Sequence, residues 1–352
     1  MSRKEVFFMN KSVDFKSIFA PYLTAFIREH LMKGYKYRTL QDRLRAFDNY
    51  LFAIKHMKTY FMKSDYDNWY ETISVHHPAT IYCEVSIMAR FLRYMCALGQ
   101  ECYIPRLPKK PVRDFVPYIY SKDEMEKIFA IADSLRMKRK YHKSIMMILP
   151  ALLRLLYSTA IRIGEALSIK NKDVDFNRHV IILNETKNGC QRLAPLNDAM
   201  EVVLKQYILY RNQLPIEGLE NPESSLFVSG IGKTPAHCTV YENFNKIIKK
   251  AGILYIGGHK GPNIHGIRHT SCVHAMMKMI HKGMDMYCCL PALSAFMGHK
   301  HVADTEIYIH LAKEMYPELI EMDLSVTSSI SKLIERAIIT ENENEKASAE
   351  QK

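Results

Sequence analysis

No Cys-x-x-Cys pair occurs anywhere in this sequence of 352 residues. Its eight cysteines, at positions 83, 96, 102, 190, 238, 272, 288 and 289, are scattered, so neither a disulfide framework nor a zinc knuckle is expected, and a reducing cytosol fits best. Long apolar runs are missing too: the longest stretch, Ile145 to Leu156, is broken by Pro150 and Arg154 and is too short for a bilayer. The first residues lack the charged-then-apolar order of a secretion signal, and no internal repeat is visible. The expectation is a soluble, cytoplasmic protein without a membrane partner.

What is present is positive charge. There are 49 Lys and Arg against 37 Asp and Glu, a formal +12, which favours a polyanionic partner through phosphate neutralisation and counterion release. The excess is uneven, since residues 1–116 hold 19 basic and 11 acidic side chains, a net of +8. The length exceeds one ordinary domain, and 48% hydrophobic composition suffices for two cores.

From Phe15 to Leu98 the apolar residues recur at helical spacing. Ile18, Tyr22, Phe26 and Leu31 form one set, and Leu40, Leu44, Phe47, Leu51 and Ile54 a second. A short helix around Tyr66 to Ile73 and a longer one from Thr80 to Leu98 complete a bundle. Arg38, Arg43 and Arg45 lie on the polar side of the second helix, where they suit a duplex backbone as well as an ordinary solvated face. Pro105, Pro108, Pro111 and Pro117 then exclude helix, and with Arg106, Lys109, Lys110 and Arg113 they make residues 105–117 an extended basic linker after a first domain at 1–104.

Ser121-Lys-Asp-Glu124 is a capping box that opens a helix towards Ala132. A long helix ends near Ser158. His179 to Asn184 and Gln191 to Leu196 read as two strands joined through Asn188-Gly189, a dipeptide suited to a tight hairpin turn. The fold class is therefore mainly α with a small antiparallel β-sheet. Residues 118–323 form the second domain, an apolar helical segment follows at 324–340, and the polar tail 341–352 is expected to be disordered.

Several polar groups stand out less by themselves than by their order. Arg162, with Glu165 three residues on, lies where a helix restarts and could clamp an oxyanion, although such a pair alone is usually a surface ion pair. Lys187 precedes the Asn-Gly turn. His265, Arg268 and His269 share one helical face and could present three donors to a single phosphate. His299 follows Gly298, and Tyr308 comes nine residues later on a helix through Val302, Ile307 and Leu311.

Taken together, Thr-Ala-Ile-Arg162-Ile-Gly-Glu165, Glu-Thr-Lys187-Asn-Gly, His265-Gly-Ile-Arg268-His269-Thr, and Phe-Met-Gly-His299 followed by Asp-Thr-Glu-Ile-Tyr308-Ile-His resemble the tyrosine recombinases of the phage integrase type. Ala160 stands where members often have Gly and Met297 where Leu is common, both read as packing positions. The resemblance implies a helical core-binding (SAM-like) first domain and a mixed α/β catalytic second domain. It implies cutting and rejoining of DNA through a 3′-phosphotyrosine at Tyr308, with Arg162, Lys187, His265, Arg268 and His299 catalytic and Glu165 and His269 supporting.

On that view Arg162 and Arg268 hold the phosphorane oxygens, because a guanidinium stays charged and bonds two oxygens at once. Lys187 protonates the leaving 5′-oxygen, and a neighbouring imidazole such as His265 accepts the phenolic proton. No metal, ATP or other cofactor is expected, and no clustered Asp/Glu set of the two-metal nuclease kind appears.

The implied partners are double-stranded DNA, three further copies in a tetramer on two sites, and sibling recombinases or DNA-bending accessory proteins, in a nucleoid-associated setting. The 324–340 helix could dock on a neighbouring subunit or on its own domain. The competing readings are a type IB topoisomerase or telomere resolvase, which share the chemistry, and a non-catalytic DNA-binding relative, which would be expected to have lost one of the six groups.

Overall fold

The computed structural model describes residues 14–33, 38–111, 116–136, 144–184, 186, 189, 191–255 and 261–316. The chain divides into two compact units, Met1–Asp114 and Phe115–Lys352.

The first unit is a bundle of α1 (Ala20–Met32), α2 (Arg38–Ala53), α3 (Lys63–Ile73) and α4 (Pro78–Ala97). Each start has a local cause. Pro21 sits in the first turn of α1, and Asp48, fully buried on α2, accepts the amides of Lys16 and Ser17 at 2.7 and 3.0 Å just before it. α3 begins three residues earlier than its apolar pattern suggests, because the Asp65 carboxylate accepts the Met62 amide at 2.8 Å. His77 caps α4 by accepting from the Ala79 amide.

The core is aromatic: Phe47 meets Trp69 edge-on at 5.8 Å and Phe91 meets Phe19 at 6.1 Å. Each buried ring contributes roughly 1.5–3 kcal/mol by leaving water. Ile18 and Ile54, expected on apolar faces, are 37% and 49% exposed, since they flank α1 and α2 instead of lying within them. Beyond a bridge between Phe61 and Cys102, residues 103–111 have no regular structure, as the prolines require.

The second unit contains α5 (Lys122–Ser134), α6 (Leu149–Thr159), α7 (Ile163–Ser168), a sheet, α8 (Asp198–Asn212), α9 (His237–Lys250), α10 (Ile264–Ile280), α11 (Cys289–Met297) and α12 (Ile307–Met315). The Ser121 hydroxyl accepts the Glu124 amide at 3.1 Å while the Glu124 carboxylate accepts the Ser121 amide at 2.8 Å, the reciprocal cap legible in the sequence. Pro150, a break in the apolar run when read for a membrane span, occupies the first turn of α6, where its missing amide costs nothing. Leu149, Leu152, Leu153, Leu155 and Leu156 bury α6 on nearly every side, and α10 packs against α6, α11 and α12.

The sheet is antiparallel in the order β1 (Val174–Asp175), β2 (Val180–Leu183), β3 (Arg192–Pro195). Leu183 pairs with Arg192, so the connection comprises residues 184–191, one residue more on each side than the sequence suggests. Gly189 does take the left-handed conformation, φ +76°, and its amide donates to the Thr186 carbonyl at 3.2 Å. Lys187, Asn188, Arg113, the segment 324–340 and the tail 341–352 lie outside the described residues. No helix among the described residues is long and apolar enough to cross a membrane.

Candidate active site

Two helix ends meet around one guanidinium. α6 stops at Thr159 because Ala160 adopts the left-handed conformation, φ +49° and ψ +25°, and α11 stops at Met297 because Gly298 does the same at φ +64° and ψ +44°. Each stop leaves carbonyls without helical partners. Arg268, on α10 and 3% exposed, donates from Nη1 to the Ala160 carbonyl and from Nη2 to the Met297 carbonyl, the latter at 2.6 Å. The negative ends of two helices thus hold a buried cation. Burial, followed by the nearby Arg162 charge, lowers its pKa to about 10, so it stays charged at neutral pH. Ala160 and Met297, read from sequence as packing positions, therefore also present the acceptors that fix this side chain.

Past Ala160 the chain is extended through Arg162 and enters α7. Glu165 accepts the Arg162 amide at Oε2 and Arg162 Nη1 at Oε1, both at 2.9 Å, and Arg192 Nη2 donates to Oε2 at 2.8 Å. The pair is not the surface ion pair its spacing alone suggests, since Glu165 is 3% exposed. Burial pushes the Glu165 carboxyl up, but the Arg162 amide and the two guanidiniums outweigh it and leave its pKa below the ordinary value.

Asn263 caps α10 by accepting the Gly266 amide, and Gly266 has no room for a side chain: a Cβ would lie 3.0 Å from the Tyr118 carbonyl and from the Tyr120 ring. This fixes where the His265–His269 segment emerges. The three groups expected to aim at one phosphate take different surroundings. His265 is exposed with its ring edge-on to His269, centroids 4.9 Å apart, Arg268 turns inward, and His269 Nδ1 lies 2.8 Å from the Tyr308 hydroxyl. The imidazole beside the phenol is thus His269; the sequence pointed to His265.

Tyr308, on α12, is 1% exposed and packs among Cys272, Val273, Met276 and Leu293. Burial and the Cys272 thiol raise its pKa, against the lowering pull of Arg268 and Arg162, and the net result is well above the ordinary phenol value. His299, which follows the left-handed Gly298, lies nearly parallel to the Tyr308 ring, with centroids 6.3 Å apart and planes at 16°, and its Nδ1 is 2.9 Å from the Thr305 hydroxyl. Burial first, then nearby positive charge, lowers His269 to a pKa of about 3 and His299 to about 4. Both rings are neutral at pH 7. With its proton on Nε2, a neutral His269 accepts the phenolic hydrogen at Nδ1.

Arg192 and Thr305 were not anticipated. Arg192 opens a strand with no motif around it, and Thr305, although part of the Asp-Thr-Glu-Ile-Tyr308 stretch, was given no role there. Among the described residues, no group of three or more His, Cys, Asp or Glu is arranged to hold a metal ion. Of the basic residues expected at a duplex, Arg45, Arg106, Lys109 and Lys110 are exposed, whereas Arg43 Nη1 is tied to the buried Glu84 at 2.6 Å. Arg38 begins α2.

The chain is 28% identical over 253 residues to y4rB of Sinorhizobium fredii, 71% of this chain and 80% of that one. It is 28% identical over 240 residues to the tyrosine recombinase XerC of Bacillus subtilis, 67% of this chain and 71% of that one. The crystal structure of the XerH site-specific recombinase bound to its difH substrate, in a pre-cleavage complex, shares the fold with a TM-score of 0.63 at 18% identity, covering 88% of this chain and 87% of that one. Residues 119–315, more than half of the sequence, match the phage integrase family, and the chain belongs to that family.

Proposed function

We propose that the protein is a site-specific DNA recombinase that cuts and rejoins strands through a covalent bond between Tyr308 and a 3′-phosphate. The observation that carries the reading is Tyr308 held between His269, at 2.8 Å, and the parallel ring of His299, with the Arg268 and Arg162 charges near enough to pull its pKa down. A phosphodiester repels nucleophiles, and its attack passes through a phosphorane with added charge on the non-bridging oxygens. Arg162, 22% exposed and sharing Glu165 with a second guanidinium, keeps positive charge to offer such an oxygen. Arg268, fixed at two carbonyls, supplies a second permanent positive charge.

In cleavage the Tyr308 oxygen bonds to phosphorus, the bond from phosphorus to the 5′-oxygen breaks, and the phenolic proton passes to His269 Nδ1. A phosphate bound nearby favours protonated imidazole and so helps that transfer. The leaving oxygen takes a proton from Lys187, the role implied by the family resemblance. Rejoining reverses the sequence, with a 5′-hydroxyl attacking the phosphotyrosine, so no ATP is consumed. Because Tyr308 is 1% exposed, attack requires α12 or its preceding turn to shift when DNA binds.

The remaining expectations complete the reading. The unit before residue 115 and the linker at 105–117 grip the duplex through Arg38, Arg45, Arg106, Lys109 and Lys110. Two DNA sites are brought together by a tetramer, with accessory or sibling proteins assisting, in the cytoplasm on the nucleoid. His265 is exposed for phosphate contact. XerC and XerH, named as recombinases, support the DNA-exchange part of this proposal.

The test is incubation with a nicked suicide DNA substrate carrying the target site, with EDTA present and no nucleotide. A denaturant-resistant protein–DNA adduct is expected from the wild type and none from Tyr308→Phe. An adduct that persists in Tyr308→Phe removes the nucleophile assignment, and one that requires a divalent metal removes the metal-independent chemistry.

A further inference from the structure

Arg192 enters the chemistry above only through its share of Glu165, yet it sits between the pieces that carry it. It opens β3, directly after the loop containing Lys187, and its side chain is 13% exposed. Nη2 donates to Glu165 Oε2 at 2.8 Å and Nη1 to the Phe296 carbonyl at 3.1 Å. A Cβ on Gly298 would lie 2.5 Å from its Nε and 2.6 Å from its Cδ. One planar guanidinium therefore spans the start of α7, which carries Arg162, and the end of α11, which leads into His299.

The charges matter as much as the span. Glu165 faces two guanidiniums, so one carboxylate does not neutralise Arg162. Without Arg192 the pairing becomes one to one, and the attraction drawing Arg162 onto Glu165 competes with any phosphate. The Phe296 carbonyl also loses its donor, which frees the turn that aims His299.

We infer that Arg192 is a positioning residue for strand cleavage: by sharing Glu165 and bracing the end of α11 it keeps Arg162 available to the phosphate and His299 in place over Tyr308. The inference rests on the recombinase reading. A lysine keeps the charge but offers one compact ammonium where the guanidinium offers a fork, so it cannot satisfy both acceptors with the same geometry.

The experiment is single-turnover adduct formation on the nicked suicide substrate across DNA concentrations, for wild type, Arg192→Gln, Arg192→Lys, Glu165→Gln and the Arg192→Gln/Glu165→Gln double variant. Arg192→Gln should lower the limiting rate by about tenfold or more while half-saturating DNA changes less than about twofold, with Arg192→Lys intermediate. The double variant should be no slower than the slower single variant, because the residues act through one another. Unchanged rates, losses that multiply in the double variant, or a loss confined to DNA affinity overturn the inference. Thermal melts accompany each measurement. If Arg192→Gln does not fold, Arg192→Lys carries the test, and a wild-type limiting rate in it overturns the inference. Absence of any adduct from wild-type protein is a separate outcome, since it overturns the recombinase reading itself.

Discussion

The Tyr308 hydroxyl lies 2.8 Å from Nδ1 of His269, and this contact ties the buried phenol of α12 to the middle of the second unit's central helix. The imidazole is neutral at pH 7, which has consequences for stability.

His269 and His299 are lowered from 6.5 to about 3 and about 4. Between those values and 6.5 the unfolded chain binds protons at both positions and the folded chain does not, so stability is fully present above about pH 7 and is lost as pH falls through that window. By pH 5 the loss should be roughly 1–2 kcal/mol for each ring. Melting temperatures of wild type and His269→Gln between pH 4 and 8 check this: the variant should show a shallower decline on the acid side, and an identical slope would count against the neutral imidazole.

Ala160 takes a left-handed conformation that costs an L-residue about 1–2 kcal/mol, but it also buries its methyl group completely. These effects oppose each other in Ala160→Gly, whose stability should lie within about 0.5–1 kcal/mol of wild type. Ala160→Val adds a β-branched side chain at the same angles inside a packed core and should lose about 2 kcal/mol or more. Because the carbonyl here holds Arg268, Ala160→Val should also depress adduct formation. Chemical denaturation of both variants gives the comparison.

Gly298→Ala should be costly for two separate reasons. Its φ of +64° strains any side chain, and the new methyl would meet Arg192 at 2.5 Å. We expect a loss of about 1–3 kcal/mol in urea unfolding. Adding Arg192→Gln should return part of that stability if the clash is the larger cause, whereas simple addition of the two losses points to backbone strain.

Arg43 and Arg45 look alike in the sequence and differ in the fold. Arg43 is the partner of Glu84, which is 7% exposed and also lies 3.0 Å from His76 Nδ1, while Arg45 is exposed. Arg43→Ala should therefore lose about 2 kcal/mol of stability by leaving a buried carboxylate with His76 as its remaining named partner, and Arg45→Ala less than about 0.5 kcal/mol. Electrophoretic DNA-binding titrations at several salt concentrations should then show the smaller salt slope in Arg45→Ala, the expected mark of a lost phosphate contact. Equal stability losses would show that the Glu84 pairing is unimportant.

Local signals were legible where the neighbours along the chain decide the outcome. The Ser121–Glu124 cap closes within three residues, and the apolar periodicity around Leu44 and Phe47 reports a buried face whatever packs on it. At helix ends the same pattern overreached, at Ile18 and Ile54, because periodicity does not mark where a helix begins or stops. The hairpin was found to within one residue at its connection: the strands were expected to reach Asn184 and Gln191, whereas the pairing ends at Leu183 and Arg192.

The sequence by itself determined which groups could do this chemistry: two arginines, a lysine, two histidines and a tyrosine in an order that resembles one family, on a mainly helical chain with one small sheet. Only the tertiary structure decided how they are arranged. It gave Tyr308 to His269, turned Arg268 onto the carbonyls of Ala160 and Met297, buried Glu165, and brought in Arg192 from a strand without a motif. The reason is physical: backbone carbonyls carry no sequence signal, and a hydrogen bond between residues 27 or more positions apart depends on where helices end and pack.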